Sequence, residues 1–280
     1  MTFQLAIVGA GISGSAAALE ARARGLERVL IADYEGKPGG LLQGAFAGGG
    51  FEEEAETVLR ASLLPYEIRY RTTAVGLFFD EDRMTHLITF QGPEGTFDVE
   101  AERVLLCSGS LEKPREARRI PGGRPAGVMT PLMAVGLLER GYVPGRRALL
   151  AGDGRIANSA AKLLRESGMQ IDSLPEAWEL AGVRGVERVT GVDVRHRATG
   201  EARRIDCDTL LFSQGRIPCT FYLKGGAIER DERHAIVVDG AGRTNLPRVS
   251  AAGSCTTAGD DDHRLSAAGG RNAVAALLEV

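Results

Sequence analysis

The chain has 280 residues, with 34 basic and 37 acidic side chains and a formal net charge of −3. Apolar residues make up 44% and charged residues 25%. That ordinary globular mixture excludes a disordered or fibrous chain and gives no broad attraction to nucleic acid or anionic lipid.

No apolar run reaches the roughly 18 residues that a membrane-spanning helix needs. The opening MTFQLAIVGAG enters a strand at once, without the basic segment and cleavage site of a signal peptide. The expectation is a cytoplasmic protein of one or two domains, with no membrane span and no nucleic-acid partner.

In chain order, the apolar run at 3–8 predicts a strand that stops at Gly9-Ala10-Gly11-Ile12-Ser13-Gly14. SAAALEARARGL then predicts a helix closed by Gly25. Residues 28–32 predict a second strand, ending at Asp33. Residues 51–64 have the pattern of an amphipathic helix. From 68 to 107, IRYRTTAVGLFF, HLITFQ and TFDVE predict an antiparallel meander, followed by a buried strand at VLLCSGS. Prolines and glycines between 111 and 126 mark a linker. From Arg147 a second strand–turn–helix–strand begins, and VERVTGVDVRH, EARRIDCDTLLFSQG and AIVVD continue as strands. The C-terminal stretch predicts a strand, an irregular loop and a final helix.

Gly9, Gly11 and Gly14 carry the sharpest chemical signal. The first glycine permits a tight turn, the second lets backbone approach a pyrophosphate, and the third lets helix and strand pack closely. The helix start then offers free N–H groups and a positive dipole end to phosphate. Asp33 lies nineteen residues beyond Gly14, placed at a strand end to accept hydrogen bonds from a ribose diol. Gly152, Gly154 and Ala157 form a second, weaker copy. Its acid is open between Asp172 and Glu176, and no arginine pair follows to hold a 2′-phosphate. Only about ten residues separate its second strand from the next, so this unit reads as shortened.

Cys107, Cys207, Cys219 and Cys255 are far apart and form no C-x-x-C, which argues against a redox dithiol and a zinc ribbon. The four histidines show no metal spacing, so no metal site is expected. Asp260-Asp261-Asp262 reads as a solvated acidic cap on the last helix, with His263 open to a second reading beside a bound cofactor.

AIVGAGISGSAAALEA, PGGLL, VLLCSGSLEKPREARRIPGGRPAGVMT, YVPGRRALLAGDGRIA, IDCDTLLFSQGRIP and VSAAGS together resemble the FAD/NAD(P)-binding oxidoreductases of the pyridine-nucleotide-disulfide type. The chain is most similar to the small members that accompany FAD-dependent amino-acid, amine or glycerol-3-phosphate dehydrogenases. The resemblance implies an α/β fold with two Rossmann-like dinucleotide-binding domains, the first discontinuous with an inserted antiparallel meander and the second shortened. Its boundaries would be 1–115 plus 243–280 for the FAD-binding domain and 116–242 for the NAD(P)-binding type.

It implies that Gly9, Gly11, Ile12, Ser13, Gly14, Asp33 and Tyr34 bind the ADP half of FAD. Gly39, Gly40 and Leu41 would bring backbone near the flavin, and Val75 would offer backbone to the adenine. Ser108, Gly109, Gly253 and Ser254 would complete the site, with Ser254 standing where the family has Asp. Gly152, Gly154 and Ala157 would form a second site for NAD(H).

The implied function is an FAD-dependent oxidoreductase or electron-transfer subunit. It would pass electrons between FAD and a nicotinamide or a partner dehydrogenase, with a small iron–sulfur subunit as a further partner. The disulfide members carry a cysteine pair beside the flavin, which this chain lacks. No residue stands out as a catalytic acid, base or nucleophile. The alternative is a non-catalytic structural subunit with decayed nucleotide sites.

Overall fold

The computed structural model describes residues 2–259 and 262–279. In chain order the elements are β1 (Leu5–Val8), α1 (Ile12–Ala23), β2 (Val29–Ala32), α2 (Glu52–Ser62), β3 (Glu67–Arg69), β4 (Thr73–Asp80), β5 (Thr85–Gly92), β6 (Gly95–Ala101), β7 (Val104–Leu106) and β8 (Ser110–Glu112). There follow α3 (Arg115–Arg118), β9 (Val128–Met129), α4 (Pro131–Glu139), β10 (Arg147–Gly152), α5 (Arg155–Glu166), β11 (Gln170–Ser173), β12 (Trp178–Arg184), β13 (Gly191–His196), β14 (Ala202–Ile205) and β15 (Thr209–Ser213). The last elements are β16 (Arg216–Pro218), β17 (Val249–Ala251) and α6 (His263–Leu278). None of the described helices is long and apolar enough to cross a membrane.

The chain divides into two units: residues 1–43, 52–111 and 217–280 form the first, and residues 44–51 with 112–216 form the second. The first is built on a parallel sheet of order β17-β7-β1-β2-β3. Strands β1, β2, β7 and β17 are buried on both faces, as parallel strands under crossover helices require, and the edge strand β3 is partly exposed. On one face Leu5, Ile7, Val29 and Ile31 pack with Ala17, Ala21, Ala273 and Val274 of the helices α1 and α6. On the other, Val8, Leu30 and Leu106 pack with Ile88, Phe90 and Val99 of the antiparallel meander β4-β5-β6. Helix α1 ends at Ala23 because Gly25 takes the left-handed conformation that a helix terminus favours (φ 81°).

The second unit repeats this plan on a smaller scale. Its parallel sheet runs β11-β10-β15-β9, and β12-β13-β14 form an antiparallel meander. Ala148 and Leu150 pack with Ala157, Ala161 and Leu164 on the helix face, whereas Leu149 and Leu210 pack with Val192 and Val194 on the meander face. The residues 44–51 belong here through α5: Ser159 Oγ donates to the Ala45 carbonyl at 2.6 Å, and the Arg155 guanidinium lies 4.4 Å over the Phe51 ring.

Several sequence expectations need correction. The boundary expected at 243 falls at 217, because Leu223, Ile228 and Ile236 are buried in the meander-face core of the first unit. AIVVD makes only isolated bridges through Ile236. IRYRTTAVGLFF is not one meander strand: Arg71 adopts φ 52° and splits it into β3, which joins the parallel sheet, and β4. The linker expected at 111–126 contains α3, and the helix α4 was not anticipated. VERVT is not a strand; β12 precedes it and β13 follows.

The contact between α1 and α6 is close enough to be tested. A Cβ built on Gly270 would lie 2.1 Å from the Ser13 carbonyl oxygen, whereas one on Gly269 meets only the Ala252 methyl at 3.8 Å. Gly270→Ala is therefore expected to destabilise the fold by about 1–3 kcal/mol. Gly269→Ala is expected to gain up to about 1 kcal/mol from helix propensity. Urea unfolding of the two variants checks the opposite signs.

Candidate functional site

The first glycine turn is shaped by backbone contact. Gly9 has φ 110°, and a Cβ there would sit 2.2 Å from the Cys107 carbonyl oxygen at the end of β7. A Cβ on Gly14 would sit 1.9 Å from the Gly9 carbonyl oxygen. Both glycines are thus required by the protein itself.

Gly11 differs. Its backbone is ordinary (φ −73°, ψ −169°), and a Cβ there would meet nothing nearer than the Gly40 Cα at 3.9 Å. The protein therefore gives no steric reason for glycine at position 11, and its open side is a cradle that a Cβ would fill. No side chain caps α1 at Gly11, so the helix start presents backbone N–H groups and the positive end of its dipole at that cradle.

Other segments of the first unit converge on the turn. The Gly39 N–H donates to the Ala10 carbonyl at 3.0 Å, and Gly40 faces Gly11 closely enough that a Cβ on Gly40 would lie 3.1 Å from the Gly11 Cα. Leu41 follows in a short 3-10 turn, Gly40–Leu42. A Cβ on Gly253 would lie 2.2 Å from Ser13 Oγ. Ser254 Oγ accepts from Ser110 Oγ at 2.9 Å, and Gly109 lies beside it. Ser108 Oγ accepts from the Tyr222 hydroxyl at 3.3 Å, while the Cys219 N–H donates to the Gly109 carbonyl at 2.9 Å. Val75 is half exposed on β4, just beyond Thr72, whose N–H donates to the Asp33 carbonyl at 2.8 Å. Ile12 is buried at the first position of α1, and Tyr34 is half exposed beside Asp33.

Asp33 has a second task that sequence reasoning did not find. Its Oδ2 accepts the Ala10 N–H at 2.5 Å and its Oδ1 accepts the Glu35 N–H at 2.8 Å. The carboxylate thus pins the glycine turn to the end of β2, with lone pairs left for a ribose diol. Burial, the largest effect, raises its pKa, and the two backbone N–H groups oppose that rise. Ser110, Cys219 and Tyr222 also escaped sequence reasoning. The only available signal was the small-polar repeat CSGS, and residues 219 and 222 lie in a segment assigned to the other domain.

None of the four cysteines is in a disulfide. Burial pushes the Cys107 thiol well above its ordinary range, raises Cys207 and Cys255, and lifts Cys219 to about 11. All four remain protonated at neutral pH and are poor nucleophiles. At the start of α6, Asp262 caps the helix by accepting the Arg264 N–H at 2.8 Å, and His263 is buried. Asp260 and Asp261 lie outside the described residues.

The second glycine turn lies wholly in the second unit. Gly152 has φ 115° and packs against the Ser213 carbonyl oxygen, 2.0 Å from where a Cβ would stand. Gly154 opens α5, and Ala157 is buried in the helix-face core. Of the two acids left open by the sequence, Asp172 is ion-paired with Arg147 at 3.2 Å. Glu176 is exposed beyond the end of β11.

A family model described as pyridine nucleotide-disulphide oxidoreductase matches residues 3–177 and 179–276. One subunit of the alkyl hydroperoxide reductase of Staphylococcus aureus is 28% identical over 167 residues, 60% of this chain and 31% of that protein. The chain thus matches about a third of the length of that curated relative. Among solved structures, thioredoxin reductase of T. acidophilum aligns with a TM-score of 0.68 at 23% identity, covering 99% of this chain and 98% of the other. L-proline dehydrogenase from P. horikoshii aligns with a TM-score of 0.75 at 22% identity, covering 100% of this chain and 55% of that one. At these identities the structural matches establish the fold.

The geometry separates two kinds of glycine. Gly11→Ala is expected to leave the thermal stability of the nucleotide-free protein unchanged while weakening FAD binding at least tenfold, about 1.4 kcal/mol. Gly14→Ala is expected to destabilise the protein itself by about 1–3 kcal/mol. Differential scanning fluorimetry with and without added FAD distinguishes the two.

Proposed function

This chain belongs to the pyridine nucleotide-disulphide oxidoreductase family, whose cofactors are FAD and a pyridine nucleotide, and from that premise we propose that it passes electrons between FAD held by its first unit and a partner redox protein. The observation that carries the reading is the open side of Gly11. It is a glycine that the protein's own packing does not demand, set at an uncapped helix start beside the buried carboxylate of Asp33. Those features fit a dinucleotide pyrophosphate and its adenosine ribose.

When bound, the isoalloxazine supplies the redox chemistry. The chain supplies binding and orientation. The N–H groups at the start of α1 would hold the pyrophosphate, and Asp33 would accept from the ribose. The Gly39–Gly40 and Gly253–Ser254 turns bring uncluttered backbone to the same cradle. Tyr222 donates to Ser108 and Ser110 donates to Ser254, which ties the Ser108–Ser110 segment to residues 222 and 254. Burial raises the Tyr222 phenol, so it stays protonated and donates to Ser108.

A dithiol route is not the one supported, because every thiol is held protonated by burial. The reading is therefore electron transfer directly to or from the flavin, with a dehydrogenase or a small iron–sulfur subunit as the partner. The resemblance to proteins that accompany flavin dehydrogenases supports it, as does the alignment of the whole chain with part of a proline dehydrogenase.

Purified protein is expected to carry, or to take up, FAD with a flavin absorbance spectrum. Cys219→Ser, which alters the most accessible thiol, is expected to leave the rate of flavin reduction by dithionite and reoxidation by a dye acceptor within twofold of wild type. Absence of flavin binding at high added FAD would refute the reading. Loss of electron transfer in Cys219→Ser would restore a thiol route.

A further inference from the structure

The chain contains its own control, because two βαβ turns of one design can be compared residue by residue. They agree at the first glycine: Gly9 and Gly152 have φ 110° and 115°, and each packs against a carbonyl at the end of the neighbouring strand. They part at the second. Gly11 has φ −73° and Gly154 has φ 102°. The sign change turns the peptide before the helix differently relative to the helix axis, so the two turns do not present the same set of N–H groups.

They part again at the third position. A Cβ on Gly14 would lie 1.9 Å from the Gly9 carbonyl, so α1 comes in direct contact with its turn. Ala157 carries a Cβ at the matching place and is fully buried. Helix α5 must therefore stand further from its turn than α1 does.

The largest difference is at the ribose position. In the first unit the register runs to Val8↔Ala32, and the next residue after β2 is Asp33. In the second it runs to Leu150↔Ser173, and the next residues after β11 are Leu174 and Pro175. Neither side chain accepts from a ribose hydroxyl or donates to a 2′-phosphate. Asp172 does not replace them. It is bound to Arg147, the first residue of β10, whereas the glycine turn follows the last. Glu176 is a further residue away, exposed, and its negative charge disfavours a 2′-phosphate. β12 begins at Trp178, with no helix between it and β11.

We infer that the second glycine turn holds no pyridine nucleotide, and that this chain is a one-dinucleotide member of a two-dinucleotide family. The inference rests on the FAD reading for the first unit, and it narrows the electron donor to something that reaches the flavin without a nucleotide bound by this chain. The second turn retains its glycines for packing: Gly152 because of the Ser213 carbonyl, Gly154 because of its positive φ.

The experiment is titration of the FAD-loaded full-length protein with NADH and, separately, NADPH, monitored by calorimetry and by anaerobic flavin absorbance. The expected result is no saturable binding of either up to about 1 mM, the upper end of ordinary KM values, and no flavin bleaching, while dithionite bleaches it fully. The same titrations on Gly11→Ala assign any signal. Binding that persists in that variant belongs to the second turn and overturns the inference. Binding that disappears in the variant, and that displaces FAD from the wild-type protein, belongs to the first turn and leaves the second empty, as inferred. FAD content, measured independently, decides the reading of the first unit: a chain that takes no FAD sinks that reading and the one-dinucleotide assignment with it, whereas an FAD-loaded chain that takes no NADH or NADPH upholds both.

Discussion

The first unit depends on a single close approach, that of the Gly9 carbonyl to the Cα of Gly14. No side chain fits between them, so α1 starts directly against the end of β1. This contact brings Ser13 against both Gly253 and Gly270, and so brings α6 and the late loop to the same place. The small residues Ala17, Ala18 and Ala21 continue the contact along α1. Close packing of this kind is sensitive to one methyl group, and it places an uncapped helix start at the strand end where Asp33 stands.

Burial then divides the polar groups by use. Asp33 is almost inaccessible but hydrogen-bonded by two backbone N–H groups, which offset part of the cost of burying its carboxyl. Burial also raises the Cys107 and Cys255 thiols, and hydrogen bonds from the surrounding backbone only partly oppose that rise. Burial thus raises the Asp33 carboxyl and the thiols alike, and the two backbone N–H groups oppose it at Asp33.

Much of this was legible in the sequence where local chemistry and tertiary demand coincide. Gly9, Gly11, Gly14 and Asp33 sit on a strand–helix–strand whose apolar runs and helix formers are unambiguous, and the structure brings them together with Gly39, Gly40, Gly253 and Ser254. Helix α4 was missed because PLMAVGLLE is apolar all round and shows no amphipathic period, although Thr130 and Pro131 do mark a helix start. β12 was missed because Glu, Ala and Gly are poor strand formers; its place is set by pairing with β13. Residues 217–242 were assigned to the wrong unit because their turns are local. Asp231 and Asp239 hold backbone N–H groups within four residues, and only Leu223, Ile228 and Ile236 reveal which core they join.

The proposed electron route requires the dinucleotide to sit at the turn between β1 and α1. Hydrogen–deuterium exchange of the full chain with and without FAD tests that placement most directly. The expected result is FAD-dependent protection of the amides at 10–15, 39–41 and 253–254, with those at 152–158 unchanged. Protection at 152–158 with none at 10–15 would contradict it.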